Sequence, residues 1–169
     1  MASPIFGATT GSPQQVGEQL VHCASRVGWD MQTKVHGVGD GASWIANQFE
    51  ERFGAHGAYL IDLFHFGEYL AAASKSCSGD PSTWYNEMKA HALVNRMDIV
   101  LKAMKPHIEP EELEDTNAPV RVCDRYIRNR PEQFNYQAAL LAGLPVGSGK
   151  IESANRSLMQ PRLKVPGAW

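Results

Sequence analysis

Cysteine is scarce in this chain, and long apolar runs are missing. The three cysteines among 169 residues, Cys23, Cys77 and Cys123, lie far apart and form no Cys-x-x-Cys pair. This spacing argues against a disulfide scaffold or a zinc ribbon and favours reduced thiols in a cytoplasmic protein. No apolar run approaches the roughly 20 residues that a membrane span requires. With 43% apolar residues, the composition predicts a globular protein with a sizeable core and no membrane partner.

A strong excess of one charge is also missing, because the net charge is only −2. The two ends of the chain nevertheless differ. Residues 143–169 contain four basic residues and one acidic residue, so they carry +3, which leaves −5 for the rest of the chain. Such a division is typical of a solvated terminus, or of a basic tail that faces nucleic acid on an otherwise acidic body.

The first third of the chain alternates between helix and strand patterns. Ser12, Pro13 and Gln15 form a helix start, with Ser12 as the N-cap and Gln15 completing a capping box. Apolar spacing and the intervening glycines then predict four elements. The order helix, strand, helix, strand indicates an α/β fold. The predicted elements are a helix over 13–27, a strand over 34–38, a helix from the Ser43 cap to Gly54, and a strand over 58–64.

Beyond residue 64 the pattern is helical. Apolar spacing predicts helices over 65–74 and 80–105, and a third helix after Pro119. An acidic segment at 109–115 is most simply a solvated surface. A glycine-rich turn from 143 onward runs into a helix that starts near residue 148. The helix after Pro119 carries one basic face, formed by Arg121, Arg125 and Arg128.

One glycine-rich segment invites a nucleotide-binding interpretation. Residues 37–42 match Gly-x-Gly-x-x-Ala between a strand and a helix, and Asp62 ends the next strand, where a ribose-binding acid would stand. A dinucleotide-binding oxidoreductase domain is therefore an alternative. Asp40 weakens it, because an acidic side chain inside the turn would repel a pyrophosphate.

Three carboxylates stand at the ends of predicted elements. Asp40 follows one strand, Asp62 ends the next, and Glu152 lies in the first turn of the helix after the glycine-rich turn. Acids at such places can converge, and clustered carboxylates are costly without a cation. The pattern suggests a divalent-metal site, and two metals would serve phosphodiester chemistry. Taken singly, each acid is also explained as a turn residue or a helix cap.

Four ordered motifs carry a resemblance to a known family. They are Val38-Gly-Asp-Gly-Ala-Ser-Trp-Ile45, Tyr59-Leu-Ile-Asp-Leu-Phe-His-Phe-Gly-Glu-Tyr-Leu70, Leu144-Pro-Val-Gly-Ser-Gly-Lys-Ile-Glu-Ser-Ala-Asn155 and Gln160-Pro-Arg-Leu-Lys164. Together they resemble DDE transposases of the ISKra-type insertion sequences, which are related to the Mutator-like group. The resemblance spans nearly the whole chain, from the helix start near Ser12 to Trp169.

The resemblance implies an α/β fold with a ribonuclease-H-like catalytic core, incomplete because its first strands are missing, a mainly helical insertion and a C-terminal helix. Residues 1–169 would form a single partial catalytic domain. It would consist of an α/β part at 12–64, the helical insertion at 65–135, and the glycine turn with the catalytic-Glu helix at 136–169. The implied function is metal-dependent cleavage and strand transfer of transposon-end DNA in DNA transposition and recombination.

The family motifs also imply roles for individual residues. Asp40 matches the acid of a GDGA-type motif and Glu152 matches the final acid of a GSGxxES motif, so both are expected to hold Mg²⁺ or Mn²⁺. Asp62 and His65 match a DxxH-type motif, which implies that both are catalytic residues that serve metal ligation, orientation of the catalytic site, or both, with Asp62 as the expected metal ligand. Double-stranded DNA, as transposon ends and target, is the expected partner. Its expected phosphate contacts are Lys150, Arg156, Arg162 and Lys164, together with the arginine face after Pro119.

A ribonuclease-H-like site begins with an acid on the first strand of a three-stranded meander. The only acids before Asp40 are Glu18 and Asp30, and neither lies on such a strand. We therefore expect a C-terminal fragment of a transposase that is inactive alone, and whose intact form is able to assemble as a homodimer. The alternative functions are a catalytically dead DNA-binding remnant and, with less support, the oxidoreductase domain.

Overall fold

The computed structural model describes residues 4–149, which form a mixed α/β fold that is mostly helical. None of the helices in this range has the length and apolar character needed to span a membrane. In chain order the helices and strands are α1 (Pro13–Arg26), β1 (Val35–Gly39), α2 (Ser43–Phe53), β2 (Gly57–Ile61), α3 (Leu63–Cys77), α4 (Pro81–Leu93), α5 (Met97–Met104), α6 (Pro119–Arg128) and α7 (Tyr136–Leu141).

The two strands form a parallel pair, with α2 as the crossover between them. Val35 pairs with Gly57 at one end of the pair, and Gly39 pairs with Ile61 at the other. Parallel strands cannot be joined by a tight hairpin, which is why a helix separates them in the sequence. Because both strands run in the same direction, Asp40 and Asp62 follow them at the same edge of the sheet.

The elements predicted for the first third of the chain are confirmed, with boundaries that differ by one to three residues. α1 begins at Pro13 behind the Ser12 capping box, as predicted. α2 includes Ser43, and Ala42 is its N-cap instead. The strand expected over 58–64 ends at Ile61, because Asp62 caps a helix whose first residue is Leu63. Apolar continuity alone could not reveal that the capping side chain interrupts the strand.

The helix predicted over 80–105 is in fact two helices. α4 ends at Leu93 and α5 begins at Met97. Between them Asn95 has a left-handed backbone with φ of 59°, a conformation that asparagine tolerates better than most residues. Its side chain is bonded to the start of α7, where it donates to the Asn135 side chain (2.6 Å) and accepts from the Gln137 N–H (3.1 Å). The break is therefore set by a contact with residues some forty positions away.

α3 is the central helix of the core. Its Phe66, Leu70 and Ala73 have no exposed surface, and the helix packs against α4, α5 and α6. The thiols of Cys77 and Cys123 are buried in the same core, and no cysteine is bonded to another. Burial raises the pKa of Cys77 to about 11 and that of Cys123 to about 12. Both thiols are therefore protonated and unreactive at neutral pH.

The acidic segment at 109–115 does more than face solvent, contrary to the sequence expectation. The Glu109 carboxylate accepts hydrogen bonds from the backbone N–H groups of Val120 (3.1 Å) and Arg121 (2.7 Å). These N–H groups lie in the first turn of α6 and have no partner inside the helix. Glu109 therefore caps α6 from outside, where its charge also favours the helix N-terminus.

The arginine face of α6 is engaged within the protein. Arg121 and Arg125 both bond to the carboxylate of Asp115, and Arg128 pairs with Asp124, with 2.7 Å between Nε and Oδ2. We predicted this face as a candidate phosphate contact. Its three guanidinium groups instead share the two carboxylates of Asp115 and Asp124, which offset two of the three positive charges.

Replacing Glu109 with alanine should lower the free energy of unfolding by about 1–2 kcal/mol, because two buried helix N–H groups lose their acceptor. The measurement is urea unfolding followed by circular dichroism at pH 7. The matched control is Glu111→Ala, at an exposed position of the same segment, which should change stability by less than about 0.5 kcal/mol. Equal losses in the two variants would contradict the capping role.

Candidate functional site

The candidate site is the carboxyl edge of the sheet, where the turns after β1 and β2 meet. The Asp62 N–H donates to the Gly39 carbonyl (2.7 Å), which joins the two turns directly. The Tyr59 hydroxyl accepts from the Gly41 N–H (3.3 Å). Burial raises the pKa of Tyr59, and the negative charges of Asp40 and Asp62 raise it further. The two acids thus act on the same hydroxyl group.

Asp62 is the most constrained acid of this edge, with only 4% of its surface exposed. Its Oδ1 accepts from the backbone N–H groups of Phe64 (2.7 Å) and His65 (3.2 Å), which makes it the N-cap of α3. Its Oδ2 accepts from the N–H of Ser148 (2.6 Å) and from the Ser148 hydroxyl. A carboxylate has about four lone-pair positions. These four donors fill them, so no oxygen lone pair of Asp62 is left for a metal ion or a ribose hydroxyl.

The protonation of Asp62 reflects these contacts. Burial alone would raise its pKa, but the hydrogen bonds from Ser148, Phe64 and His65 outweigh burial and lower the pKa below the usual 3.8. Asp62 is therefore ionised at neutral pH, and its charge is held by fixed donors rather than by solvent.

The glycine-rich turn lies against this edge. In addition to the Ser148 contacts, the Leu63 N–H donates to the Val146 carbonyl (2.9 Å), and His36 Nε2 lies 2.8 Å from the Pro145 carbonyl oxygen. A Cβ atom at Gly147 would lie 2.7 Å from the Phe64 ring. Glycine at this position allows the turn to approach the start of α3 closely.

Asp40 differs from Asp62 in exposure and in bonding. Its side chain is exposed, and Oδ1 accepts one hydrogen bond, from the Ala42 N–H (2.9 Å). Oδ2 accepts no hydrogen bond from residues 4–149. A carboxylate oxygen of this kind suits Mg²⁺ or Mn²⁺. One carboxylate is not a metal site, however, and no group of three His, Cys, Asp or Glu side chains that could hold a metal occurs in the described range.

The turn that carries Asp40 is held from the other side by α6 and by Arg130, two residues beyond the end of that helix. The Tyr126 hydroxyl donates to the Asp40 carbonyl (2.8 Å), and Arg130 Nε donates to the Gly41 carbonyl (2.6 Å). Gly41 has φ of 77°, and a Cβ atom there would lie 2.5 Å from the Tyr126 hydroxyl. Only glycine satisfies both conditions. The sequence did not identify Tyr126 and Arg130, because no local pattern links them to a turn 86 to 89 residues earlier.

The backbone N–H of His65 bonds to Asp62 directly, whereas its imidazole ring contacts other residues around the site. Its N–H donates to Asp62, whereas ring Nδ1 lies 3.3 Å from the Glu68 carboxylate. The ring makes edge contacts with Tyr69 and Tyr126, at centroid distances of 5.5 and 6.2 Å. The imidazole therefore contacts the aromatic side chain that holds the Asp40 turn.

The dinucleotide-binding alternative requires a glycine-rich segment between a strand and a helix, followed by an acid at the end of the next parallel strand. Residues 37–42 and Asp62 stand at these places. The chemistry argues against it. The Asp40 carboxylate already accepts the Ala42 N–H at the start of α2, where a pyrophosphate would need free amides. Asp62, as shown above, has no lone pair left for a ribose.

Five of the predicted site residues lie outside the described residues: Glu152 and the four phosphate contacts Lys150, Arg156, Arg162 and Lys164. Within residues 4–149 the fold brings Asp40, Asp62 and the glycine-rich turn to one edge. Compared with known proteins, the chain matches no family model, no curated protein and no solved structure.

Replacing Asp62 with asparagine should lower the free energy of unfolding at pH 7 by about 2–3 kcal/mol, because hydrogen bonds to a charged acceptor are lost. The folded-state pKa lies below 3.8, so the stabilisation by the carboxylate is complete above that pH and disappears as pH falls through the folded value. The stability gap between the two proteins should therefore narrow below about pH 4.

The measurement is urea unfolding at intervals from pH 7 to pH 2.5. Asp98→Asn is the control, because Asp98 is exposed and paired with Arg96 at the surface, where such a pair contributes about 1 kcal/mol at most. A gap that stays constant over the whole pH range would show that the Asp62 charge does not stabilise the fold.

Proposed function

We propose that this chain is part of the catalytic domain of a DDE transposase with a ribonuclease-H-like core, acting in cleavage and strand transfer of transposon-end DNA. The observation that supports this most is the contact between Asp62 and Ser148. It holds the turn that precedes Glu152 at the same edge of the sheet as Asp40. Glu152 follows Gly149 by three residues, so chain geometry limits their Cα–Cα separation to about 11 Å.

The parallel β1–α2–β2 unit supports the proposed core. In a ribonuclease-H-like site the second acid follows a strand that comes after a helix, and here α1 precedes β1 and Asp40 follows it. The helices from α3 to α7 separate this unit from the glycine-rich turn in the sequence. The turn nevertheless returns to the sheet, which is what a helical insertion between two parts of one site requires.

In the proposed site Asp40 and Glu152 hold Mg²⁺ or Mn²⁺. The ions would activate a water or a 3′-hydroxyl for attack on a phosphodiester and stabilise the charge that develops on the phosphate. Asp62 is a positioning residue rather than a ligand, because its four hydrogen bonds leave no free lone pair. It aligns the start of α3 with the glycine-rich turn. His65 supports it through the backbone N–H.

Metal binding tests the pairing of the two acids. We expect Asp40→Asn and Glu152→Gln each to weaken Mn²⁺ binding to the full chain at least tenfold, because loss even of an outer-shell partner of a metal ligand costs roughly 10–100-fold. The double variant should bind about as weakly as either single variant, since residues that share one ion are not additive. Electron paramagnetic resonance of free Mn²⁺ measures the affinity.

The control for metal binding is Glu50→Gln, at an exposed position on α2, which should leave the Mn²⁺ affinity unchanged. Additive effects of the two site substitutions would mean that Asp40 and Glu152 do not share an ion. Equal effects of all three substitutions would mean that Mn²⁺ binds diffusely to surface carboxylates, and either result would count against the proposed site.

Double-stranded DNA is the proposed partner, and a homodimer is the proposed assembly. The phosphate contacts are proposed for the basic end of the chain, which carries +3 beyond residue 142. Each contact that is lost should reduce the slope of log affinity against log salt concentration by about 0.9. The proposed contacts are Lys150, Arg156, Arg162 and Lys164.

Removing Lys150 and Arg156 together by alanine substitution should reduce the salt slope by about 2 and weaken binding to a 25-base-pair duplex. Fluorescence anisotropy between 50 and 200 mM NaCl measures both quantities. The charge-matched control removes Lys75 and Lys102, which are exposed on α3 and α5, and should leave the slope unchanged. DNA binding without metal-dependent cleavage would favour the DNA-binding remnant, and no DNA binding would exclude both functions.

A further inference from the structure

Arg130 is held rigidly beside the turn that carries Asp40. Its Nε donates to the Gly41 carbonyl (2.6 Å), and one terminal nitrogen donates to the Tyr126 carbonyl (3.1 Å). The guanidinium carbon lies 4.1 Å from the centre of the Tyr126 ring, a distance at which the cation is attracted to the ring face. Two hydrogen bonds and one stacking contact thus fix the position of the charge.

The charge of Arg130 has no carboxylate partner among residues 4–149. The three arginines of α6 pair with Asp115 and Asp124, whereas Arg130 bonds only to carbonyl oxygens and a ring. These neutral partners orient the guanidinium without neutralising it. Two of its five N–H groups are used, and the residue is partly exposed, so three N–H groups remain for an anion.

The Arg130 charge lies beside the turn that carries Asp40. Arg130 bonds to Gly41, the residue after Asp40, and Tyr126 bonds to the carbonyl of Asp40 itself. A metal ligand and a cation with free donors are therefore fixed to the same turn. The planar guanidinium group binds phosphate oxygens with two parallel hydrogen bonds and remains charged at every working pH.

We propose that Arg130 contacts a phosphate of the DNA strand bound at Asp40, and that Tyr126 positions both residues. The inference rests on the proposed function, since it names a further contact between that site and its substrate. It places one phosphate contact outside the basic end of the chain, on the described part of the protein.

The test is binding of the full chain to a 25-base-pair DNA duplex, measured by fluorescence anisotropy between 50 and 200 mM NaCl. Arg130→Gln should weaken binding about five- to tenfold at 100 mM and reduce the salt slope by about 1, as expected for one lost phosphate contact. The matched control is Arg128→Gln. It removes the same charge two residues before Arg130, from a guanidinium group that is already paired with Asp124. It should change affinity less than twofold and leave the slope unchanged.

Two conservative variants separate the charge from the hydrogen bonds around it. Arg130→Lys keeps the charge and should retain the wild-type slope. Tyr126→Phe removes the bond to the Asp40 carbonyl and should also retain the slope, with a smaller loss of affinity. A slope that falls in these variants would overturn the assignment of the contact to the Arg130 charge.

Nuclear magnetic resonance of the arginine side chains provides a measurement on the unaltered protein, so the test does not depend on the folding of Arg130→Gln. On addition of the duplex the Arg130 Nε–H signal should shift, and the Arg128 signal should not. If the chain binds DNA through Lys150 and Arg156 but the Arg130 signal is unmoved, this inference fails and the proposed function stands. If the chain binds no DNA, both fail.

Discussion

The buried carboxylate of Asp62 is the interaction on which the arrangement of this protein most depends. It lies between β2 and α3 and bonds to the glycine-rich turn, so two consecutive elements and a turn 86 residues later in the sequence meet at one side chain. An ionised group at 4% exposure would be strongly unfavourable without partners. The four donors around it compensate for the lost water, and they also explain why its pKa falls rather than rises.

Because all lone pairs of Asp62 accept hydrogen bonds, the two acids at this edge of the sheet differ in what they are able to do: one fixes the backbone, and the other is able to bind a metal. An acid that binds a metal must keep an accessible oxygen, whereas an acid that fixes the backbone must commit its oxygens to donors. Asp62 is an acid of the second kind, because both of its oxygens accept hydrogen bonds. Asp40 retains one oxygen that accepts no hydrogen bond from the described residues. The difference in burial between two acids on adjacent strands therefore supports a division between a positioning residue and a metal-binding residue.

The second organising feature is the attachment of α6 to the Asp40 turn. Glu109 caps the start of α6, Asp115 and Asp124 pair with its three arginines, and Tyr126 and Arg130 reach the turn from the far end of the helix. The helical part of the chain is thereby fixed to the sheet at the candidate site. The acidic segment and the arginine face looked like separate solvated surfaces in the sequence, but they meet where Arg121 and Arg125 bond to Asp115.

Much of the local structure follows from the sequence alone. Features that depend on residues within a few positions of one another were predicted correctly. They are the capping box at Ser12, the crossover helix between two strands, the helix after Pro119 and the position of Asp40 after a strand. Features that depend on contacts between distant residues, or on a side chain that caps a helix, were not predicted from the sequence. Asp62 ends β2 early because its side chain caps α3, and Asn95 divides a continuous apolar pattern because it bonds to α7.

What the tertiary structure alone decided is which side chains meet. The bonding of Ser148 to Asp62, the alignment of Tyr126 and Arg130 with the Asp40 turn, and the pairing of Arg121 and Arg125 with Asp115 join residues that local periodicity does not connect. Sequence periodicity records which face of an element is apolar, but it does not record the partner of a polar group. Those partners are chosen only when packing removes water from them and each buried donor and acceptor must be satisfied within the fold.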